Sequence, residues 1–149
     1  MTRQDATAVA RLRELAAVLE GSEPALDPND LVRDGIGPKR WFDCLVAEVD
    51  GRLISYAMVC RGYEAHMAKR RLWLRDLYVR TDARRTGAGR ALMVEIARLA
   101  IRQGCEAVTG ICGGSRVGKA FYESLGAVEI GDVAIWHVGS RQLAAAGDE

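Results

Sequence analysis

Residues 84–90 have the composition of an anion-binding loop. They read Arg-Arg-Thr-Gly-Ala-Gly-Arg, which brings three arginines, two glycines and an alanine together. The backbone N–H groups in the first turn of a helix lack intrahelical acceptors and carry partial positive charge. Small residues let an anion approach those groups, and the arginines attract it. The segment therefore predicts a phosphate or pyrophosphate site, although a tight turn that uses glycine only for its geometry would have the same composition.

Two common phosphate-binding loops do not match this segment. A P-loop ends in Gly-Lys followed by serine or threonine, which the segment lacks. The dinucleotide-binding fingerprint needs a third glycine at position 92, where this chain has leucine. Phosphate sites of these two types are therefore excluded.

The loop lies between a predicted strand and a predicted helix. Residues 72–79 are rich in the bulky side chains that strands favour. Beyond the loop the apolar period changes, so that Leu92, Ile96 and Leu99 fall on one helical stripe. Gly104 lies where this helix is expected to end. The other elements of the chain are expected to support this strand–loop–helix unit.

The loop and a second block of residues together carry a resemblance to a known family. Arg84-x-x-Gly87-x-Gly89, after the predicted strand, resembles the acetyl-CoA signature of the GNAT N-acetyltransferase superfamily. Residues 119–127, Lys-Ala-Phe-Tyr-Glu-Ser-Leu-Gly-Ala, are similar to a second segment of that superfamily. The resemblance extends over residues 10–138 and implies an enzyme of the N-acetyltransferase class.

Two further segments resemble one subgroup of the superfamily in particular. Residues 30–37 and 44–49 resemble the diamine (spermidine/spermine) acetyltransferase subgroup of the superfamily. Two positions depart from the family pattern, because Ser115 replaces its asparagine and Ala127 replaces its phenylalanine. These departures concern contacts with the cosubstrate more than the fold.

The resemblance implies that acetyl-CoA is the cosubstrate and assigns roles at its thioester. The backbone N–H of Leu77 or its neighbour would polarise the thioester oxygen. Tyr122 would protonate the departing thiolate, unless it is an ordinary half-buried tyrosine. Ser115, Gly118 and Tyr122 lie at helical spacing, and the two small residues would leave a trough for the cosubstrate. The residues expected to bind acetyl-CoA are Leu77, Tyr78, Val79, Arg84, Arg85, Thr86, Gly87, Ala88, Gly89, Arg90, Ser115 and Gly118.

The candidate base and the candidate substrate contacts lie close to the predicted strand. The diamine subgroup has two acidic residues where this chain has Arg75 and Asp76. Asp76 is a candidate general base, directly or through a water, but a structural aspartate paired with Arg75 is an equally good interpretation. Glu64 resembles an acidic substrate position of the subgroup. An arginine beside the reactive amine would oppose a polycation and suit an amine that also carries a carboxylate.

The composition limits the classes of protein that the chain can represent. Its 149 residues suit one domain, and 49% hydrophobic with 28% charged residues is typical of a soluble globular protein. A net charge of +1 gives no argument for a nucleic-acid or membrane partner. Four cysteines without paired spacing and two histidines predict reduced thiols in a cytoplasmic protein and no metal site. No segment resembles a signal peptide or a transmembrane helix.

The remaining periodicity predicts the secondary structure around the central unit. Helices are expected at 5–19, from 28 to 35 or 37, from about 91 to 104, and at 116–125; strands are expected at 44–49, 53–61, 72–79, 106–112, 128–130 and 133–138. Residues 62–71 are expected to be polar and irregular. The predicted apolar face of the first helix is Ala8, Leu12, Leu15, Ala16 and Leu19, and that of the last helix is Val117, Ala120, Phe121 and Ser124.

These elements predict one α/β (α+β) domain over residues 1–149 with the GNAT-type acyl-CoA N-acyltransferase fold. Its first strand is expected to be short or missing, and residues 144–149 to be a frayed tail. A mixed, mostly antiparallel sheet would splay between the strands at 72–79 and 106–112, with helices on both faces. Acetyl-CoA would add along the open edge as a pseudo-strand.

The expected function is transfer of an acetyl group from acetyl-CoA to a primary amine of a small molecule, such as an amino acid, a diamine or a polyamine. Two alternatives stay open. One is an enzyme that acetylates a protein N-terminus or lysine. The other is a non-catalytic acyl-CoA-binding module. A homodimer is the expected assembly.

Overall fold

A computed structural model of the chain describes residues 1–23, 25–112, 116–131 and 140. The chain divides into two compact units, Met1–Gly113 and Gly114–Glu149. The first unit contains, in order, a 3-10 turn at Arg3–Asp5, helix α1 (Ala6–Glu20), helix α2 (Pro28–Gly35), strands β1 (Asp43–Val49), β2 (Arg52–Glu64) and β3 (Lys69–Val79), a 3-10 turn at Thr81–Ala83, helix α3 (Ala88–Arg102) and strand β4 (Ala107–Gly110). In the second unit the described residues contain helix α4 (Arg116–Glu123).

The four strands form a mixed sheet in the order β1-β2-β3-β4. β1, β2 and β3 pair antiparallel, and β4 pairs parallel with β3. The pairing of β3 with β4 runs from Arg71 opposite Ala107 to Leu74 opposite Gly110. The predicted mixed, mostly antiparallel sheet is therefore confirmed.

Helices cover both faces of the sheet. Residues paired across strands share a face, so Tyr56, Met58 and Tyr78 lie on the face that packs against α1 and α2. α3 contacts β1, β2 and β3, and its buried side chains do not belong to the group of core residues that packs against α1 and α2. The core residues on the α1 face include Val9, Leu12, Leu31, Cys44, Tyr56, Met58 and Tyr78; those that α3 buries are Leu92, Ile96 and Ala100.

Local signals explain the ends of the helices. The Asp27 side chain accepts a hydrogen bond from the backbone N–H of Asn29 at 2.7 Å, and Pro28 opens α2, as the sequence predicts. α1 ends at Gly21, whose φ of 65° lies in the left-handed region that favours glycine. Gly104, with φ of 68°, follows α3 at the position expected for its end.

The predicted apolar face of α1 was partly wrong. Ala8 is exposed, and the side chains of Leu15 and Leu19 are 40% and 59% exposed. The helix instead buries mainly small residues, which let its backbone approach the sheet closely and leave the longer leucines at the margins. The buried residues of α1 are Ala6, Val9, Ala10, Leu12, Ala16 and Ala17.

Residues 62–71 were wrongly predicted to be irregular. β2 and β3 extend to a turn between Glu64 and Lys69, which pair with each other. Charged residues are tolerated here because they find partners, including Lys69 with Glu106 at 2.6 Å between nitrogen and oxygen. The strand is hidden in the sequence because its polar residues do not alternate with apolar ones.

The predictions for the C-terminal part of the chain, and for the domain as a whole, have different outcomes. Residues 128–130 do not form the predicted strand, and the predicted apolar face of α4 is not buried, since Val117 is 73% exposed. The predicted strand at 133–138 and the predicted tail at 144–149 lie outside the described residues. The prediction that 1–149 is a single domain with a short or missing first strand stays a prediction.

Candidate active site

A β-bulge in β3 determines where the candidate base lies. Met58 of β2 pairs with Asp76, and the next residue, Val59, pairs with Leu74, so Arg75 is the extra residue. Leu74 and Asp76 therefore lie on opposite faces of the sheet, and the extra residue Arg75 lies between them in the chain. Because Asp76 pairs with Met58, the bulge places Asp76 on the face that packs against α1 and α2.

Asp76 is held by two residues from other elements. The Tyr56 hydroxyl donates a hydrogen bond to Asp76 Oδ2 at 2.5 Å, and Arg13 Nε lies 3.5 Å from the same oxygen. Burial raises the pKa of Asp76, while the hydrogen bond from Tyr56 and the charge of Arg13 oppose that rise. The ion-pair partner of Asp76 is Arg13 and not Arg75, so the alternative of a structural aspartate stays open with a different partner.

The open edge of β3 begins at the bulge. β4 pairs with β3 only as far as Leu74, so within the described residues the segment from Arg75 to Val79 has no strand on its second side. The backbone N–H of Leu77 lowers the pKa of Asp76, which places this donor beside the carboxylate. The edge therefore offers backbone donors and acceptors to an extended ligand, as the expected pseudo-strand requires.

Side chains fold the loop after β3 back on itself. Arg84 Nε donates to the Val79 carbonyl oxygen at 3.2 Å, and the Thr86 hydroxyl donates to the Ala83 carbonyl oxygen at 2.7 Å. Arg85 has a φ of 64°, an uncommon value for a residue with a side chain. The loop is therefore a compact turn with its own hydrogen bonds, and its arginines are exposed.

The loop ends on the first turn of α3. Gly87 caps the helix with a φ of 93°, and its carbonyl oxygen accepts the first helical hydrogen bond, from Ala91 N–H at 2.9 Å. A Cβ atom at Gly87 would meet no atom within 4 Å, so the space above it is open. The N–H groups of Ala88 and Gly89 belong to the turn that lacks intrahelical acceptors. These features fit a pyrophosphate, and Arg84, Arg85 and Arg90 would supply charge around it.

Glu64 lies away from the bulge. It occupies the far end of β2, six residues beyond the partner of Asp76, which corresponds to about 20 Å along a strand. Its carboxylate lies 3.9 Å from Arg71 Nε and 3.8 Å from His66 Nδ1. Arg75 is exposed, and among the described residues it has no ion pair. Arg75 and Asp76 are therefore neighbours in β3, and the structure separates both from Glu64.

Tyr122 and Gly118 lie on α4 in the second unit and are partly buried. The Tyr122 ring contacts the ring of Phe121, with centroids 5.2 Å apart and planes at 64°. The Tyr122 carbonyl oxygen accepts a hydrogen bond from Ala127 N–H at 3.1 Å beyond the helix end. Ser115 lies outside the described residues. The cosubstrate trough on α4 stays a prediction.

The sequence did not reveal two residues of the site, Arg13 and Tyr56. Both are far from Asp76 in sequence, and α1 and β2 were expected only to support the core. Tyr56 is fully buried, so its place in the sequence fits an apolar core residue as well as a polar residue of the site. A weak signal was available, because a tyrosine at a core position of a strand usually needs a hydrogen-bond partner for its hydroxyl.

The parts of the chain that the structure describes contain few other features that could form a site. Within those parts there is no group of three or more residues that could hold a metal ion. Over the same ranges, no helix has the length and apolarity needed to cross a membrane. A shallow groove between α1 and the β1–β2 hairpin includes neither Asp76 nor the loop at 84–90.

We expect Gly89→Leu to weaken CoA binding by about 10- to 100-fold, because each hydrogen bond to a charged phosphate contributes about 1.5–3 kcal/mol. Gly89 lies inside α3, where leucine favours the helix by up to about 1 kcal/mol, so the thermal midpoint should not fall. Calorimetric titration with CoA measures the affinity. The same change at Gly87 also strains a left-handed backbone by about 1–2 kcal/mol, for which Gly21→Leu is the matched control. Unchanged affinity in Gly89→Leu would show that the phosphates bind elsewhere.

Comparison with known proteins gives the same result for the fold and the family. Residues 11–127 match the family described as "Acetyltransferase (GNAT) family". The chain is 25% identical over 136 residues to the thialysine N-epsilon-acetyltransferase of Bos taurus, covering 85% of this chain and 79% of that protein. It is 30% identical to the human spermidine/spermine N(1)-acetyltransferase-like protein 1 over 85% of this chain, which spans only 19% of that protein.

A solved structure extends the comparison of folds. An aminoglycoside acetyltransferase from an uncultured soil metagenomic sample, in complex with sisomicin, has a TM-score of 0.77 and 17% identity. The match covers 94% of this chain and 93% of that one. At this identity the likeness is one of fold alone. The family match over residues 11–127 shows that the chain belongs to the acetyltransferase (GNAT) family and is an N-acetyltransferase that uses acetyl-CoA.

Proposed function

We propose that the protein acetylates a primary amine of a small molecule that also carries a carboxylate, such as an amino acid with a free side-chain or α-amine. The observation that carries this proposal is the bulge at Arg75, an exposed arginine that directly precedes Asp76 in β3 and has no ion pair among the described residues. A zwitterionic substrate complements that pair, with its ammonium toward Asp76 and its carboxylate toward Arg75.

The charges near Asp76 argue against a polyamine. Arg13 contacts Asp76 from α1, and Arg71 faces Glu64 at the far end of the β2–β3 hairpin. A polyamine would meet these cations as well as the two carboxylates, and each ammonium left beside an arginine is repelled. Glu64 is therefore proposed as a contact only for a substrate long enough to reach it.

Three groups of the chain are proposed to act on the reacting atoms. Asp76 takes a proton from the substrate ammonium, directly or through a water, so that the amine can attack the thioester carbon. The backbone N–H of Leu77 or its neighbour donates to the thioester oxygen as negative charge develops on it. Tyr122 gives its hydroxyl proton to the sulfur that leaves as the carbon–sulfur bond breaks. The second proton of the amine nitrogen restores the Tyr122 hydroxyl, so one ammonium and one thioester give one amide, one CoA thiol and one released proton.

The surroundings and assembly of the enzyme are also proposals. A cytoplasmic location is supported by the four free cysteines, of which Cys44 is buried with its pKa raised by burial to about 12. A homodimer without nucleic-acid or membrane partners is proposed from the near-neutral charge and the resemblance to the diamine subgroup. Light scattering on the purified protein gives the assembly directly.

We expect lysine-like amines to be acetylated more efficiently than spermidine when CoA release is followed over a panel of amines. The panel contains lysine, ornithine, spermidine, spermine and a peptide with a free N-terminus. Preference for the two amino acids supports the proposal. Preference for the peptide indicates a protein N-acetyltransferase, and CoA binding without release from any amine indicates a non-catalytic module.

A further inference from the structure

Arg13 on α1 is the residue that joins Asp76 to a second acidic side chain. Its Nε lies 3.5 Å from Asp76 Oδ2, and its Nη2 donates to Glu20 Oε2 at 2.8 Å. The Arg13 and Asp76 side chains are each 23% exposed, while that of Glu20 is 51% exposed. Arg13 is therefore held at the edge of the core between a half-buried carboxylate and one near solvent.

The two side-chain contacts to Asp76 involve the same oxygen, and the backbone N–H of Leu77 also contacts the carboxylate. Tyr56 donates its hydroxyl to Oδ2, the same atom that faces Arg13. Burial raises the pKa of Tyr56, and the negative charge of Asp76 raises it further, so the hydroxyl stays protonated and remains a donor. Neither of these two side chains contacts Oδ1. Tyr56 and Arg13 therefore fix Oδ2 and with it the orientation of the carboxylate.

We infer that Arg13 is a positioning residue for acetyl transfer: it keeps the Asp76 carboxylate ionised and holds Oδ2, which orients the carboxylate to accept the proton of the substrate amine. The inference rests on the proposed role of Asp76 as the base. The hydrogen bond from Tyr56 on β2 also favours the ionised form of Asp76. The negative charge of Glu20 at the end of α1 disfavours it.

The charged and titratable groups on the elements that pack against Asp76 act on its pKa in different directions. From α1, the positive charge of Arg13 lowers the pKa of Asp76 and the negative charge of Glu20 raises it. From β2, the hydrogen bond of Tyr56 lowers it, and from β1 the buried Cys44 thiol stays neutral because burial raises its pKa to about 12. Removal of Arg13 and removal of Glu20 should therefore have opposite effects.

The test compares the acidic limb of the pH–rate profile in four variants. Arg13→Gln should move this limb to higher pH by about one unit or more, because an adjacent opposite charge lowers a carboxyl pKa by about 1–3 units. Arg13→Lys keeps the charge and should leave the limb close to its wild-type pH. Glu20→Gln should move the limb to lower pH. Arg11→Gln, which removes an exposed arginine from another side of the same helix, should leave the limb unchanged.

A readout that does not need turnover separates this inference from the proposed function. Carbon-13 NMR titration of the aspartate carboxyls, with the Asp76 signal assigned by its loss in Asp76→Asn, gives the carboxyl pKa directly. An upward shift in Arg13→Gln together with a downward shift in Glu20→Gln supports the role of Arg13. Equal pKa values in wild type and both variants would overturn it. If the NMR shifts occur but the rate profile does not follow them, Asp76 is not the base, and the proposed mechanism fails instead.

Discussion

Tyr122→Phe is expected to lower the turnover number by about 10²- to 10⁴-fold while the affinity for acetyl-CoA stays within a few-fold. The change removes one oxygen and keeps the ring, which contacts Phe121. A lost general acid typically costs this much in rate, or about 3–5 kcal/mol of barrier. The ground-state affinity should change little, because the hydroxyl matters mainly as charge develops on the thiolate.

Two measurements on this variant separate a chemical role from a packing role. Turnover comes from CoA release, and binding comes from calorimetric titration with CoA. If turnover stays within about threefold of wild type while chemistry limits the rate, Tyr122 only packs in the structure. If turnover and binding fall together, the ring helps to hold the cosubstrate and another group supplies the proton.

Asp76→Asn is expected to reduce the catalytic efficiency by about 10²- to 10⁴-fold near neutral pH, the usual contribution of a general base. Burial raises the pKa of Asp76, so in the wild type the rate should fall, as the pH decreases, at a pH above the ordinary range of aspartate. The asparagine cannot lose or gain a proton in this range. The part of the acidic limb that belongs to Asp76 should therefore disappear in the variant.

The control for this prediction keeps the carboxylate. Asp76→Glu retains a base with a longer side chain and should retain an acidic limb, even if its rate is lower. The decrease in rate that comes from protonation of the substrate amine should persist in every variant. This persistence distinguishes it from the decrease that comes from Asp76. A wild-type rate in Asp76→Asn would mean that ordered water or another residue accepts the proton.

The sequence predicts the cosubstrate loop better than the substrate side of the site. Two glycines and three arginines before an amphipathic stretch define the loop by composition, because its chemistry depends on the absence of side chains and on local charge. The hydrophobic period likewise predicts β1 and α3. In α3, however, the third buried position is Ala100, and Leu99 is only partly buried.

The surroundings of Asp76 could not be predicted because they depend on contacts between distant segments. The bulge at Arg75 is a mismatch between β2 and β3, and neither strand contains a residue pattern that requires it. The pairing of Asp76 with Arg13 depends on how closely α1 approaches the sheet, which its buried alanines allow. The sequence alone favours its neighbour Arg75 as the alternative partner of Asp76, whereas the structure pairs Asp76 with Arg13.

The most direct test of the proposed substrate class is an internal competition. Equal concentrations of lysine and spermidine are supplied with limiting acetyl-CoA, and mass spectrometry measures the ratio of the two acetylated products, which is the ratio of the catalytic efficiencies. We predict that the wild type favours lysine by about tenfold or more, since like charges about 4 Å apart repel by about 1–4 kcal/mol between bulk water and a protein surface. Arg75→Glu should reverse the preference, and Arg85→Glu in the cosubstrate loop should not. A wild-type preference for spermidine, or a ratio that Arg75→Glu leaves unchanged, would contradict the proposal.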